Sequence, residues 1–268
     1  MRRMLLIGIG AGDPEYVTQQ AIRALNEVDV FFVMQKGAEK DELVALRRLV
    51  CERFIDDQSY RIVAVRDPER DRTADAYAPA VDAWRAARAG IWERLIADEL
   101  AADAGVGAIL VWGDPSLYDS TLTIMDSILA AGRVRFEVEV IPGISAIAAL
   151  CARHAIALNR VGEAVHVTTG RRLTREGLPP NAPDVVVMLD AHCAFSALCH
   201  ESLDIYWGAY LGTPDEILVA GRVADVSDEI ERIRAQARER KGWIMDTYLL
   251  RRRGADAATD EVGAQRGG

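Results

Sequence analysis

Several absences narrow the field before any motif is considered. The chain has four cysteines in 268 residues, and Cys51, Cys151, Cys193 and Cys199 are too few and too scattered for a disulfide framework. None belongs to a Cys-x-x-Cys pair. The set His192, Cys193, Cys199 and His200 therefore lacks the ligand spacing of structural zinc and reads as a partly buried helix, with Phe195 and Leu198 inward and no metal. No uncharged apolar run reaches the roughly 18 residues of a membrane helix, since the stretch from Ile141 stops at Arg153. Met1-Arg-Arg-Met leads straight into Leu-Leu-Ile without an apolar segment and small-residue cleavage site, so a cytoplasmic protein is expected rather than a secreted one. An excess of positive charge is also missing. The net charge of −9 argues against a nucleic-acid binder with a broad basic surface, while leaving local arginine patches open. There is no Gly-x-Ser-x-Gly elbow, no His-Glu-x-x-His and no internal repeat, which removes support for serine hydrolases, zinc proteases and repeat arrays.

What is present suits a soluble α/β protein. Half of the residues are hydrophobic, mean hydropathy is near zero, and the length allows one large α/β domain or two smaller ones. Apolar runs predict strands over 4–7, 29–33, 61–65, 106–112 and 136–141, and later over 164–169, 184–189, 204–210 and 243–250. Helical spacing follows Thr18, an N-cap for Ala21, Leu25 and Val28, and recurs through Leu43, Leu46, Leu49 and Val50. A long helix is predicted over 77–103 with a break near Gly90, a helix opens at 143–152, and a charged amphipathic one spans 226–240. The strand–helix alternation of the first part predicts a mainly parallel sheet, and the strand-rich second part a mixed one. The expected division is residues 1–117 and 118–253, followed by a disordered tail over 254–268.

Three glycine-marked segments fall where a strand ends and a helix begins, the place where an α/β sheet offers backbone N–H groups and short side chains to a ligand. They are Gly8-Ile-Gly-Ala-Gly-Asp-Pro14, Trp112-Gly-Asp-Pro-Ser-Leu-Tyr118 and Ile141-Pro-Gly-Ile-Ser-Ala146. The first superficially suggests a dinucleotide fingerprint, but Asp13 stands where the third glycine belongs and would face a pyrophosphate. Asp29 lies where a ribose partner would, so a nicotinamide-dependent oxidoreductase stays open as an alternative. On bland readings the segments are tight turns and caps, Met188 is a core residue, and Gly212 in Leu-Gly-Thr213 a turn glycine.

The ordered set, with Val186-Val-Met-Leu189, resembles the tetrapyrrole methylase family over about residues 4–253. The resemblance implies two α/β domains with a cofactor cleft between them, S-adenosylmethionine as methyl donor, and a homodimer. It places Ala11, Trp112, Gly113, Asp114, Leu117, Ser145, Ala146, Met188 and Gly212 against the cofactor. Ala11 stands where relatives often carry proline, and Leu189 could replace Met188 by an offset of one. Longer strings, among them Val30-Phe-Phe-Val-Met, Leu43-Val-Ala-Leu-Arg-Arg, Thr168-Thr-Gly-Arg-Arg172 and Trp243-Ile-Met-Asp-Thr-Tyr-Leu-Leu250, resemble the branch that methylates carbon 1 of precorrin-5. That branch releases acetate and gives precorrin-6A on the aerobic route to cobalamin. Another precorrin or cobalt-precorrin methyltransferase with a different target carbon is the alternative within this chemistry. Loss of acetate needs a base for water and donors for an oxyanion, for which Asp114, Tyr118 and Asp13 are the candidates. Arg66, Arg171 and Arg172 are candidates for the many carboxylates of a corrin precursor, with Arg70 and Arg72 beside them.

Overall fold

The computed structural model describes residues 1–35, 41–69 and 77–253; Arg70, Arg72 and the expected tail over 254–268 lie outside them. The chain separates into two compact units, Met1–Ala146 and Ile147–Gly268.

The first unit is built on five parallel strands, β1 (Arg2–Gly8), β2 (Val30–Gln35), β3 (Arg61–Arg66), β4 (Val106–Val111) and β5 (Phe136–Ile141). Their order across the sheet is β3-β2-β4-β1-β5. Leu6 of β1 lies opposite Ile109 of β4 and Val140 of β5, which fixes the register at the centre. The period of two then sends side chains alternately to either face. One face joins Leu5, Ile7, Phe31, Ala108 and Leu110 to residues of α1 (Gln19–Leu25) and α2 (Asp41–Phe54), among them Ala21, Leu25, Val50 and Cys51. The other joins Met4, Leu6, Phe32, Ile109 and Val111 to Trp92 and Ile96 of α3 (Tyr77–Glu99) and to Ile124, Met125 and Ile128 of α4 (Thr121–Ala131). Because both faces are covered, the central strands read as unbroken apolar runs rather than alternating ones.

Thr18 caps α1 as its sequence predicts, accepting the Ala21 N–H at 3.0 Å. The break expected near Gly90 is absent, and α3 runs through it as one helix of 23 residues. A single mid-helix glycine costs about 1 kcal/mol, which the packing of Trp92, Ile96 and Leu100 outweighs. The middle of α3 is fastened to the segment after β3 by a bidentate pair, Arg88 to Asp67 at 2.6 and 2.7 Å.

The second unit is a mixed sheet of β6 (Val165–Thr169), β7 (Asp184–Met188), β8 (Leu203–Ala209), β9 (Ile217–Arg222) and β10 (Asp246–Arg252), ordered β6-β7-β10-β8-β9. Only β6 and β7 run parallel; β10 is antiparallel to both of its neighbours, and β9 to β8. Its core packs Val185, Val187, Ile205, Trp207, Tyr248 and Leu250 against Phe195 and against Val223, Ile230 and Ala237 of α7 (Val223–Lys241). Phe195 lies in a 3-10 turn, Ala194–Leu198, where a helix was expected. Strand β9 was not expected at all. It is a short edge strand whose residues are half-buried or exposed, so its sequence carries little periodic signal. The connection from β5 passes through 142–145 into α5 (Ala146–Arg153). The units therefore part after β5, which pairs with β1, and not near 117, where the change of sequence texture had suggested.

Candidate cofactor loops

In the first unit the three glycine segments follow β1, β4 and β5, three adjacent strands, at their carboxyl ends. The loops after β1 and β4 join in an isolated bridge, with Gly10 N–H donating to Gly113 O at 3.2 Å and Gly113 N–H to Gly10 O at 2.8 Å. Gly10 has φ +81°, and a methyl added there would stand 2.5 Å from the Tyr16 Cβ. The loop after β5 packs backbone to backbone on the other two. A Cβ on Gly143 would lie 2.1 Å from Gly113 O and 2.9 Å from the Gly8 Cα, while one on Gly8 would lie 2.6 Å from the Gly143 nitrogen. No side chain fits at this junction, which is the physical reason for glycine at both positions.

Asp114 fastens the same junction. Its Oδ2 accepts the Gly143 N–H at 2.9 Å, and its Oδ1 accepts the Ser116 N–H at 2.8 Å as well as the Ser116 hydroxyl. Burial works to raise its pKa, but the hydrogen bonds from Ser116 and Gly143 outweigh it and hold the carboxyl below its ordinary value. Asp13 is similarly engaged, as its Oδ1 accepts the Glu15 N–H at 2.8 Å and caps the 3-10 turn Pro14–Tyr16. Tyr118 is exposed and has the left-handed φ of 52°. Ala11 is buried, and Trp112, Leu117, Ser145 and Ala146 are half-buried. Thus the first unit brings Ala11, Asp13, Trp112, Gly113, Asp114, Leu117, Tyr118, Ser145 and Ala146 onto three joined loops. Arg66 ends β3, beyond β2 in the strand order, and faces solvent in an ion pair with Glu69.

The arrangement is a poor fit to a dinucleotide site. Asp29 precedes β2 and so stands at the amino end of the sheet, where its Oδ2 accepts the Val106 N–H at 2.8 Å. That is the end opposite the glycine loops, so it cannot serve as their ribose partner.

In the second unit Met188 ends β7, paired between Thr169 and Thr247, and Leu189 follows it exposed with φ 53°. Next, Asp190 is buried with every bond accounted for by the fold. It accepts the His192 and Ala194 N–H groups at 2.9 and 2.7 Å and the Tyr248 hydroxyl at 2.7 Å. Gly170, the first residue of α6 (Gly170–Glu176), makes room for it, since a Cβ there would lie 2.4 Å from the Asp190 carboxyl. Gly212, with φ 73°, turns the chain after β8, and its N–H donates to Glu216 Oε2 at 2.8 Å; Arg153 pairs with the other oxygen at 2.6 Å. Met188 and the Gly212 turn lie at the same end of this sheet, because Gly208 and Met188 both register with Thr247. Arg171 and Arg172 open α6 and are exposed. Arg172 pairs with Glu176 one turn on at 2.9 Å, and hydrogen bonds from Arg175 and, next, from Arg172 draw that carboxyl down to about 2.

Beneath these loops lies a buried charge pair that sequence reasoning missed. Arg234 of α7 donates to Asp246 at 2.8 Å and to Asp190 O at 2.6 Å, and the Trp207 indole also donates to Asp246 at 3.0 Å. A second omission is Arg47 of α2, whose Nε donates to Leu110 O near the end of β4 at 3.1 Å. Burial lowers its pKa and the Asp119 carboxylate opposes that shift. The available signal was an arginine one turn before the buried Val50 and Cys51, on a helix otherwise read as amphipathic.

A cavity of about 690 Å³ in the second unit is lined by His192, Cys193, Glu231, Arg234 and Arg238 among others. One of about 400 Å³ in the first lies between α3 and α4. Neither is lined by the glycine loops. Burial pushes the Cys193 thiol up to about 11, so it is not a nucleophile at neutral pH. Among the described residues, no group of three or more His, Cys, Asp or Glu is placed to hold a metal, and no helix is long and apolar enough to cross a membrane.

Three adjacent carboxyl-end loops, joined through bare backbone in a parallel sheet, place the chain among α/β proteins, a class in which ligands generally sit at strand ends. Residues 3–227 match the family model of tetrapyrrole (corrin/porphyrin) methylases, and the chain belongs to that family. It is 51% identical over 256 residues to the precorrin-6A synthase [deacetylating] of a Sinorhizobium species, covering 96% of this chain and 97% of that protein. A precorrin-2 C(20)-methyltransferase of a Sinorhizobium species is 32% identical over 54% of each chain. The solved structure of a cobalamin synthesis related protein (CobF) from Corynebacterium diphtheriae superposes with a TM-score of 0.79 at 38% identity, covering 94% of this chain and 98% of that one. A uroporphyrin-III C-methyl transferase from Thermus thermophilus, complexed with S-adenyl homocysteine, shares the fold with a TM-score of 0.55 at 18% identity, covering 92% and 91%.

Proposed function

We propose that the chain is an S-adenosylmethionine-dependent C-methyltransferase that methylates precorrin-5 at carbon 1 and releases acetate to give precorrin-6A, a step of aerobic cobalamin biosynthesis. The observation that carries this reading is the 51% identity, over 96% of the chain, to a precorrin-6A synthase. A different target carbon is the second reading, favoured by the likeness to a precorrin-2 C(20)-methyltransferase, but that likeness spans only 54% of the chain.

The loops suit the cofactor. At Gly113 the φ is +69°, and a Cβ would meet nothing nearer than 3.8 Å, so the backbone there is open to close approach. Ala11, Trp112, Gly113, Leu117, Ser145 and Ala146 hold the cofactor in the first unit, and Met188 and Gly212 in the second. When bound, S-adenosylmethionine supplies an electrophilic methyl group on a sulfonium. The chain then has to align a ring carbon in line with the methyl–sulfur bond, an entropic task for rigid loops. Acetate release asks more: a base for water and a donor for the oxyanion on the acetyl carbon. Asp114 and Asp13 were among the three candidates for these roles, but both carboxylates accept backbone N–H groups, and that of Asp114 is held ionised with reduced basicity. The exposed Tyr118 is the remaining candidate of the three, as oxyanion donor. Arg66, Arg171 and Arg172 pair with substrate carboxylates. The enzyme works in the cytoplasm as a homodimer; light scattering of the purified protein tests the dimer.

Incubation of the purified protein with precorrin-5 and methyl-labelled S-adenosylmethionine tests the function. One labelled methyl gained per macrocycle and one acetate released are expected. Methylation without acetate, or at another carbon by NMR of the product, would favour the second reading.

A further inference from the structure

We propose that Asp114 is a positioning residue rather than a proton acceptor: it latches the loop after β5 to the loop after β4, so that three glycine loops present one rigid backbone surface to the cofactor. The consequence for the cofactor rests on the methyltransferase reading above; the latch itself does not.

The geometry argues for it at each atom. An ionised carboxylate has about four acceptor sites, and Asp114 gives one oxygen to the Gly143 N–H and the other to the Ser116 N–H and hydroxyl. The Gly143 backbone is thereby drawn onto Gly113 O and Gly8, where an added Cβ would lie 2.1 Å and 2.8 to 2.9 Å from its neighbours. Gly113 is itself bonded in both directions to Gly10. The side chain therefore ties the ends of β4 and β5 directly, and the backbone bridge between Gly113 and Gly10 adds the end of β1. Alternatives for that carboxylate are weak. A base must hold a lone pair ready for a water proton, whereas three of the roughly four acceptor sites here are taken by two amides and a hydroxyl of the same chain. The same donors hold the acid form unfavourable, so the latch persists through neutral pH and opens only in acid, below the ordinary carboxylate value of about 3.9.

The test uses full-length protein and the variants Asp114→Asn, Asp114→Ala and Ser116→Ala, each checked by thermal melting. Hydrogen exchange of the ligand-free chain reads the latch directly: the Gly143 amide is expected to be protected in wild type and to exchange at least about tenfold faster in Asp114→Ala. Calorimetry with S-adenosylhomocysteine reads the consequence, with affinity expected to fall about 10- to 100-fold in Asp114→Asn and less in Ser116→Ala. The pH profile of kcat should keep its shape in Asp114→Asn, with the loss appearing in KM for the methyl donor. Unaltered Gly143 exchange in every variant would overturn the latch, even if the wild type bound no S-adenosylhomocysteine, an outcome that would instead sink the methyltransferase reading. Wild-type affinity in Asp114→Asn together with abolished turnover would overturn it in favour of a catalytic base. Should the Asp114 variants fail to fold, the Ser116→Ala exchange and affinity decide, and wild-type values in both would overturn the proposal.

Discussion

The two units reach the same end, a set of fixed loops on one edge of a sheet, by different physical means. In the first, loops follow parallel strands, and the backbone itself makes the junction: Gly8 and Gly143 pack on each other and on the Gly113 carbonyl, with no room for a methyl group on either. In the second, the strands are mostly antiparallel and the loops rest on buried polar side chains, with Asp190 and Asp246 tied to Arg234, Trp207 and Tyr248. The difference teaches where each is vulnerable. A backbone junction fails by crowding and leaves the fold largely intact, whereas a buried ion pair fails by losing one partner and takes stability with it.

Substitutions can break that contrast. The largest effect is expected from Arg234→Met, which strands Asp246 and should cost about 3–5 kcal/mol in urea unfolding. Adding Asp246→Leu should recover most of that loss; a double variant no more stable than the single one would deny that the unpaired charge is the cause. Next, Gly143→Ala forces a methyl to 2.1 Å from Gly113 O and should cost about 1–3 kcal/mol locally, read as S-adenosylhomocysteine affinity weakened about 10- to 100-fold. Its melting temperature should fall less than that of Arg234→Met, which is the comparison in its sharpest form. Tyr248→Phe removes one of the three donors to Asp190 and should cost about 1–2 kcal/mol without changing cofactor affinity. Smallest is Gly90→Ala, inside α3 where nothing lies within 4 Å of an added Cβ; a gain of about 0.5–1 kcal/mol is expected by denaturant midpoint.

The first unit was the more legible in sequence, for a reason that lies in its architecture. Strands buried on both faces read as continuous apolar runs, and glycines forced by backbone contact, such as Gly8 and Gly143, mark the loop positions directly. Thr18 announced its cap. The second unit hid more. Strand β9 is a half-buried edge with no clean alternation. Asp190 and Glu216 act through partners such as Tyr248 and Arg153 that lie far away in sequence, and nothing in the spacing of Arg234 and Asp246 marks them as a pair. Asp114 was found, yet its role was not legible, because a carboxylate in a glycine loop looks the same whether it meets water or the Gly143 amide. The domain boundary was misplaced because texture changes after Pro115, while membership of β5 in the first sheet is set by pairing with β1.

The central claim is that the joined glycine loops form the cofactor surface. It is tested most directly by backbone hydrogen exchange of the whole protein with and without S-adenosylhomocysteine. Slowed exchange at 8–13, 112–117 and 142–146 together is expected on adding the ligand. Protection confined to the 192–193 and 231–242 walls of the second unit's cavity, with the three loops unchanged, would contradict it.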